Sequence, residues 1–440
     1  MLNHPQISLH RLLLSVSRAV DQVHPSVADH QQRVAYMATS IARQLGIKGA
    51  DLLDVFQAAL LHDIGLITPE IRIAAARLRD LESIAWHSEV GYQLLKTSSL
   101  FAGAAAILRD HHVPWGHGAG ATKNGRAVPL AAHIITLADK IETSIDRDVP
   151  ILEQVSSINE QVIAGSGEMF HPECVDAFLE VASRESFWLD VVTTHIGSLL
   201  TDRIDWPVLT IDEASLGPVA EIFGRLVDLA SPWTAVHSAG VTATAAALAR
   251  LMHFSPREQQ LMRAAGYLHD IGKLSVPSAI LDKPGKLTRE EFLVVKAHTY
   301  HTYHILEAIG GLTQVSEWAA FHHERLDGRG YPFHLGDDEL TLGSRIMAVA
   351  DVLTAITEDR PYRKGMDRAE AMSVINKLVD KGGLDGQVVR VLEAHYDEIV
   401  DERQLVQAEY GAMQSILTNI VQGPADAHQS VLAGVGNAIT

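Results

Sequence analysis

Cysteine is almost absent: Cys174 is the only one in 440 residues. That excludes an intrachain disulfide framework and a zinc site built from several thiolates. Positive charge is also scarce, with 36 Lys and Arg against 54 Asp and Glu and a formal net charge of −18. Duplex nucleic acid is thereby excluded as a main partner, because its phosphates need Lys and Arg to neutralise them. A small phosphate ligand held by a few local cations is still open. Long apolar runs are missing too. Leu12–Leu14 sits between Arg11 and Arg18 and is too short for a signal segment, and Leu100–Leu108 covers about half a bilayer span. The expectation is a cytoplasmic chain with no membrane contact.

What is present describes a folded protein of two to three domains, 47% hydrophobic and 20% charged, with 23 histidines. The apolar spacing is helical nearly throughout. Leu9, Leu12, Leu13, Val16, Val20 and Val23 share one face over 9–23. Asp29 is the expected N-cap of a helix over Gln31–Leu45 that stops at Gly46, and another runs over Leu52–Ile64 to Gly65. Further helices are expected over 78–97, 101–112 and 127–145. The pattern loosens near Asp190–Pro218, where a join with a little extended structure is expected; after Tyr410 the chain turns small and weakly amphipathic, and its last dozen residues read as frayed.

An internal repeat organises these helices. AALLHDIG at 58–65 returns as AGYLHDIG at 265–272, a shift of 207 that also maps Asp21 to Asp228, His30 to His237, Val34 to Val241 and Arg43 to Arg250. With a shift of 211, His87 maps to His298 and His111-His112 to His322-His323; Asp139 maps to Asp351 with 212. The extra four residues fall where the second copy carries LDKPGKLT, Leu281–Thr288. The chain is read as two copies of one helical module: 1–195, a linker at 196–218, 219–410, and a tail at 411–440.

The residues that repeat are of the types expected to ligate metals. An imidazole and a carboxylate adjacent at a helix end can reach one ion, and the carboxylate can bridge two. Histidine and aspartate without cysteine suit iron, manganese or zinc. Two such ions are suited to polarising a phosphoryl oxygen and activating water. Around His322 the stretch HHERLDGRGYP adds Glu324 and Asp327 as further carboxylates, two glycines for a sharp turn, and a stiff Tyr331-Pro332 exit.

Residues 219–400 resemble the HD-GYP domain, a branch of the HD metal-dependent phosphohydrolases. The matching stretches are SPWTAVHS, LHDIGKLSVP, LDKPGKLT, HHERLDGRGYP, SRIMAVADVLTAITEDRPYR and GGLDGQVV. The resemblance implies an all-α fold of tandem HD-type bundles, two or three divalent ions, with iron or manganese expected, and hydrolysis of cyclic di-GMP to pGpG or GMP. Some members prefer cyclic GMP-AMP. It puts the metal ligands at His237, His269, Asp270, His298, His322, His323 and Asp351, with Asp270 as the bridge. Lys273 falls at the family's phosphate-contacting lysine, Arg360 and Arg363 at positions that could hold a second phosphate or a guanine edge, and Tyr331 at a loop-shaping position.

There are departures from that pattern. Ala230 stands where lysine is common, Thr302 where glycine is common, and Leu384 and Gly386 interrupt the usual FDP. For a third ion only Glu221 and Asp228 offer themselves.

The first half keeps His30, His62, Asp63, His87, His111, His112 and Asp139, a second potential metal set. It has Leu66 in place of Lys273, HHVPWGHGAGATKNG in place of the GYP loop, and RDVPIL in place of RPYR. It is expected to be a metal-loaded or vestigial regulatory domain. The leading expectation is a cyclic di-GMP phosphodiesterase acting in the second half. The alternatives are a tandem sensor of nucleotide or metal, and an HD hydrolase of another nucleotide such as cyclic GMP-AMP. A homodimer or a signalling protein partner is compatible with either.

Overall fold

The computed structural model describes residues 7–21, 28–75, 85–202, 210–231, 235–359 and 364–422. It is almost wholly helical, with two short strand pairs, Ile7–Ser8 on Thr210–Ile211 and Thr122–Lys123 on Arg126–Ala127. By contacts the chain forms two compact units. The first takes Leu13–Leu66, the chain from Glu70 through the described residues up to 202, and residues 420–422. The second takes Thr210–Asn419 together with residues 7–12 and Ile67–Pro69. None of the helices among the described residues is long and apolar enough to cross a membrane.

Each unit is centred on the helix that carries the first histidine of its set. In His237–Leu251, 13 of the 15 residues are buried. Small residues (Ala, Gly, Ser, Thr) fill most of this helix, so neighbours close in on every side. Gly266 shows the effect, since a Cβ there would lie 2.7 Å from the Thr242 Cα. His30–Gln44 occupies the same place in the first unit, with 11 of 15 residues buried.

Local signals set the helix ends. Ser255 with Glu258, Thr288 with Glu291 and Asp367 with Glu370 form capping boxes that start three helices of the second unit. The cap expected from Asp29 is not made: its φ is 57° and its side chain accepts no cap hydrogen bond. Asp21 does the work instead, its carboxylate accepting the Gln31 N–H at 2.9 Å from ten residues upstream. Asp228 does the same for Ser238 N–H at 3.2 Å and Ser238 Oγ–H at 2.8 Å. The repeated Asp21 and Asp228 are therefore caps on the central helices.

The last described helix, Tyr396–Gln422, continues well past Tyr410. It is anchored by buried Tyr410, which stacks on Tyr267 at 6.1 Å and receives the Arg225 guanidinium 3.8 Å from its ring centroid. Leu417, further along, is fully buried.

Glycine after the repeated His-Asp pair has a plain cause. A Cβ on Gly272 would sit 2.0 Å from the His298 carbonyl oxygen, and one on Gly65 would sit 2.1 Å from that of His87. The turn that presents one ligand pair must touch the backbone of the helix presenting the next. Gly272→Ala should destabilise the second unit by about 1–3 kcal/mol. Gly217→Ala, where nothing lies within 4 Å, should be neutral or stabilising. Paired thermal melts test both.

Candidate metal centres

In the second unit all seven expected ligands converge. Asp270 is central, with Oδ2 at 3.2 Å from His269 Nε2 and Oδ1 at 3.3 Å from His298 Nε2 and 3.9 Å from His322 Nε2. Asp351 lies 3.3 Å from His237 Nε2 and 3.7 Å from His323 Nδ1. The donors fall into groups that could each hold an ion: His237, His269 and Asp351; His298, His322 and His323; and, between them, His269, Asp270 and His322.

Three histidines are fixed the same way. His269, His298 and His322 each place Nδ1 against the carbonyl three residues earlier, at 2.7, 2.6 and 2.6 Å. A proton on Nδ1 then leaves the Nε2 lone pair for the centre. These Nε2 atoms and Asp270 Oδ1 are buried with no hydrogen-bond partner. Leaving such atoms unpaired costs about 1–3 kcal/mol each, and a divalent cation is the partner that satisfies all of them together. The residues fit a metal centre.

Charge is arranged accordingly. Burial would raise the Asp270 pKa, but His269 and Lys273 outweigh it and hold the carboxyl well below its usual range. Burial pushes His322 far down and His323 to about 4, which keeps both imidazoles neutral, the form a metal ligand needs. His237 goes the other way, to about 10, because Glu358 and Asp351 overcome its burial.

The first unit repeats this centre. Asp63 Oδ2 lies 3.6 Å from His30 Nε2 and 3.4 Å from His62 Nε2, and its Oδ1 lies 3.3 Å from His87 Nε2. His87 Nε2 is 3.3 Å from His111 Nε2 and 3.2 Å from His112 Nε2. Asp139 is 3.5 Å from His30. His62 and His111 carry the same Nδ1-to-carbonyl contacts, at 2.8 and 2.6 Å. Two groups, His30 with His62 and Asp63, and His87 with His111 and His112, could hold ions.

Other expected residues are placed differently. Glu324 and Asp327 do not join the cluster. Glu324 is buried and accepts the backbone N–H groups of Phe333, His334 and Leu335 at 2.7, 3.1 and 3.2 Å, tying down the loop that follows the histidines. Asp327 pairs with Arg325 at 2.8 Å. Glu221 is bound by Arg225, and Asp228 by Ser238. Tyr331 lies with its ring centroid 5.0 Å from that of His323, under the Lys296 ammonium at 4.7 Å. Lys273 Nζ is 2.5 Å from Asp270 Oδ2. Thr302 accepts the Gly272 N–H at 3.1 Å and donates to the His269 carbonyl at 3.0 Å. Arg360 and Arg363 lie outside the described residues.

Sequence reasoning missed two carboxylates. Glu142 takes His30 Nδ1 at 2.6 Å and Glu358 takes His237 Nδ1 at 3.0 Å. Each orients the first histidine of its set and raises its basicity. The signal was available for Glu142, one helical turn after Asp139. Glu358 lies two turns beyond Asp351, just past the helix end Thr357.

The HD domain family matches residues 221–388 through one of its descriptions and residues 27–144 through another. The chain belongs to the HD superfamily and is related to its HD-GYP phosphohydrolases; it is a metal-dependent phosphodiesterase. It is 30% identical over 399 residues to a 3′3′-cGAMP-specific phosphodiesterase of Vibrio cholerae, covering 88% of this chain and 91% of that one. It is 39% identical over 203 residues to a cyclic di-GMP phosphodiesterase of Pseudomonas aeruginosa, covering 45% and 46%. A solved cyclic GMP-AMP specific phosphodiesterase from V. cholerae shares the fold, with TM-score 0.60, 24% identity and 89% and 98% coverage.

Asp270→Ala should take out the carboxylate shared between the two halves of the second cluster, and the protein should retain clearly less metal by elemental analysis than the unaltered chain. Glu324→Gln should keep its metal yet loosen the loop; faster hydrogen exchange at Phe333–Leu335 would register that.

Proposed function

We propose that the chain hydrolyses a 3′3′-linked cyclic dinucleotide, cyclic GMP-AMP foremost, at the centre of the second unit. The observation that carries this is the contact of Lys273 with Asp270 beside the cluster, which the first unit lacks because Leu66 is buried at the matching position. Cyclic di-GMP was the leading expectation from the sequence. The relative that matches along nine-tenths of its length is named for cyclic GMP-AMP, whereas the cyclic di-GMP relative matches over less than half. That difference favours cyclic GMP-AMP.

In this reading His237, His269, Asp270, His298, His322, His323 and Asp351 hold two divalent ions, iron or manganese, which suit nitrogen and oxygen donors without thiolate. Two is the proposed number because Glu221 and Asp228 are held by protein groups. Divalent ions, when bound, supply Lewis-acid activation of water and of the phosphoryl oxygen. Asp270, whose Oδ2 faces His269 and whose Oδ1 faces His298 and His322, would be shared between the two positions. Lys273, part exposed, turns from Asp270 to a non-bridging phosphate oxygen and takes up charge that grows in the transition state. Tyr331, against His323, forms a wall that excludes solvent. Arg360 and Arg363 remain proposed contacts to the second phosphate or to a base. The working division is 1–195 as the metal-bearing regulatory half, 196–218 as linker, and 219–410 as the catalytic half, continued by the helix to Gln422.

Lys273→Ala should retain metal and lose about ten- to a hundredfold in kcat/KM, the equivalent of one charge-assisted hydrogen bond of about 1.5–3 kcal/mol. Assays with cyclic GMP-AMP and cyclic di-GMP side by side test the substrate order, and faster turnover of cyclic di-GMP would reverse it. His62→Ala with Asp63→Ala in the full chain should lower metal content while leaving turnover at the second centre within about threefold.

A further inference from the structure

Beside the metal cluster of the first unit lies an open cavity of about 410 Å3, in the size range of small-ligand sites, roughly 300–1,000 Å3. Two arginines line it together with the carboxylates of Glu142, Asp146 and Asp148. Buried Arg33 donates Nε–H to Glu142 Oε1 at 2.8 Å, and Arg147 donates from Nη2 to the same oxygen at 2.5 Å. Arg33 is further engaged by the Ala28 carbonyl. Arg147 has no other protein acceptor among the described residues, so the rest of its guanidinium faces outward. The outer wall is apolar: Val149 and Val192 are 38% and 41% exposed, with Pro150 beside them. The loop between is held in shape. Gln154 accepts the Asp146 N–H and donates to the Asp146 and Val149 carbonyls, all at 2.8 Å. Asp146 Oδ1 is taken by the Asp148 N–H at 2.9 Å.

We propose that this cavity binds a mononucleotide-sized organic phosphate, with the phosphate on Arg147 and Arg33 and the base against Val149, Pro150 and Val192, and that its occupancy is coupled to metal affinity at His30. The coupling runs through Glu142. Its Oε1 takes the two arginines while Oε2 takes His30 Nδ1–H at 2.6 Å. A phosphate that draws Arg147 away leaves more negative charge for His30, raises the basicity of its Nε2 and tightens metal there. By linkage, metal must tighten the phosphate ligand by the same factor. This inference concerns the first unit and does not depend on which substrate the second unit hydrolyses.

The test uses the full chain carrying Asp270→Ala and Lys273→Ala, so that the second centre does not compete. GMP and inorganic phosphate are titrated calorimetrically with and without Mn2+, and Mn2+ retention is measured with and without GMP. The expected result is one GMP per chain, inorganic phosphate bound more weakly, and GMP tightened by Mn2+ to the degree that GMP tightens Mn2+. Arg147→Ala should weaken GMP about tenfold or more while holding Mn2+ at least as firmly, a split that simple loss of structure would not give. Val192→Glu, on the apolar part of the lining, should weaken GMP and leave inorganic phosphate unchanged. Absence of GMP binding, GMP affinity unchanged in both variants, or Mn2+ affinity indifferent to GMP would each overturn the proposal.

Discussion

The fold has to bury lone pairs that face one another and keep each of them from finding a protein partner. In the second unit His269, His298 and His322 accomplish this by giving Nδ1 to the backbone three residues back, which leaves Nε2 and Asp270 Oδ1 aimed at a shared space. Such an arrangement is unfavourable alone, because buried acceptors without donors lose hydration and gain nothing. Rigid support is therefore required, and it comes from close-packed helices of small residues and from glycines at the contacts between ligand-bearing segments. A looser core would let the imidazoles turn and satisfy themselves elsewhere.

The convergence of the seven residues was legible because metal coordination constrains residue type and spacing together. A shift near 207–212 that carries His, His-Asp, His, His-His and Asp in register leaves little freedom in the reading, and the helical period supplied the elements that carry them. The supports were less legible. Asp29 looked like a cap by position, whereas the cap is Asp21, reaching from ten residues away. Glu324 looked like a donor because it follows two histidines, yet its carboxylate faces three N–H groups of its own loop. Glu142 and Glu358 went unnoticed because a carboxylate that orients a ligand has no fixed offset from it: it needs only to reach Nδ1, and here it lies three residues past one aspartate and seven past the other. Direction of a side chain, and not its presence, was the missing information.

The two units show which parts of such a module can change independently. The clustered donor atoms recur in both, with the carbonyl contacts of His269 and His322 repeated at His62 and His111. The surface above them is not. Where the second unit has the loop anchored by Glu324 and closed by Tyr331, the first has a tight hairpin whose Asn124-Gly125 turn takes φ of 52° and 75°. Where Lys273 approaches Asp270, the first has apolar Leu66. The segments above the clusters thus differ between the units while the helices that carry the clustered histidines and aspartates are kept.

The pairing of Ile7–Ser8 with Thr210–Ile211 has a consequence for how the protein is made. Residues 7–12 are the earliest part of the second unit, yet most of that unit begins only at Thr210. On the ribosome the first strand emerges about two hundred residues before its partner, and it must wait while the intervening module folds. The first unit is in this sense a guest in the chain of the second, with most of it synthesised before its host can close. A gene fragment that kept Thr210 but began after the first unit would encode all seven clustered residues of the second unit and still leave the Thr210–Ile211 edge open, a bare strand available to any other extended segment.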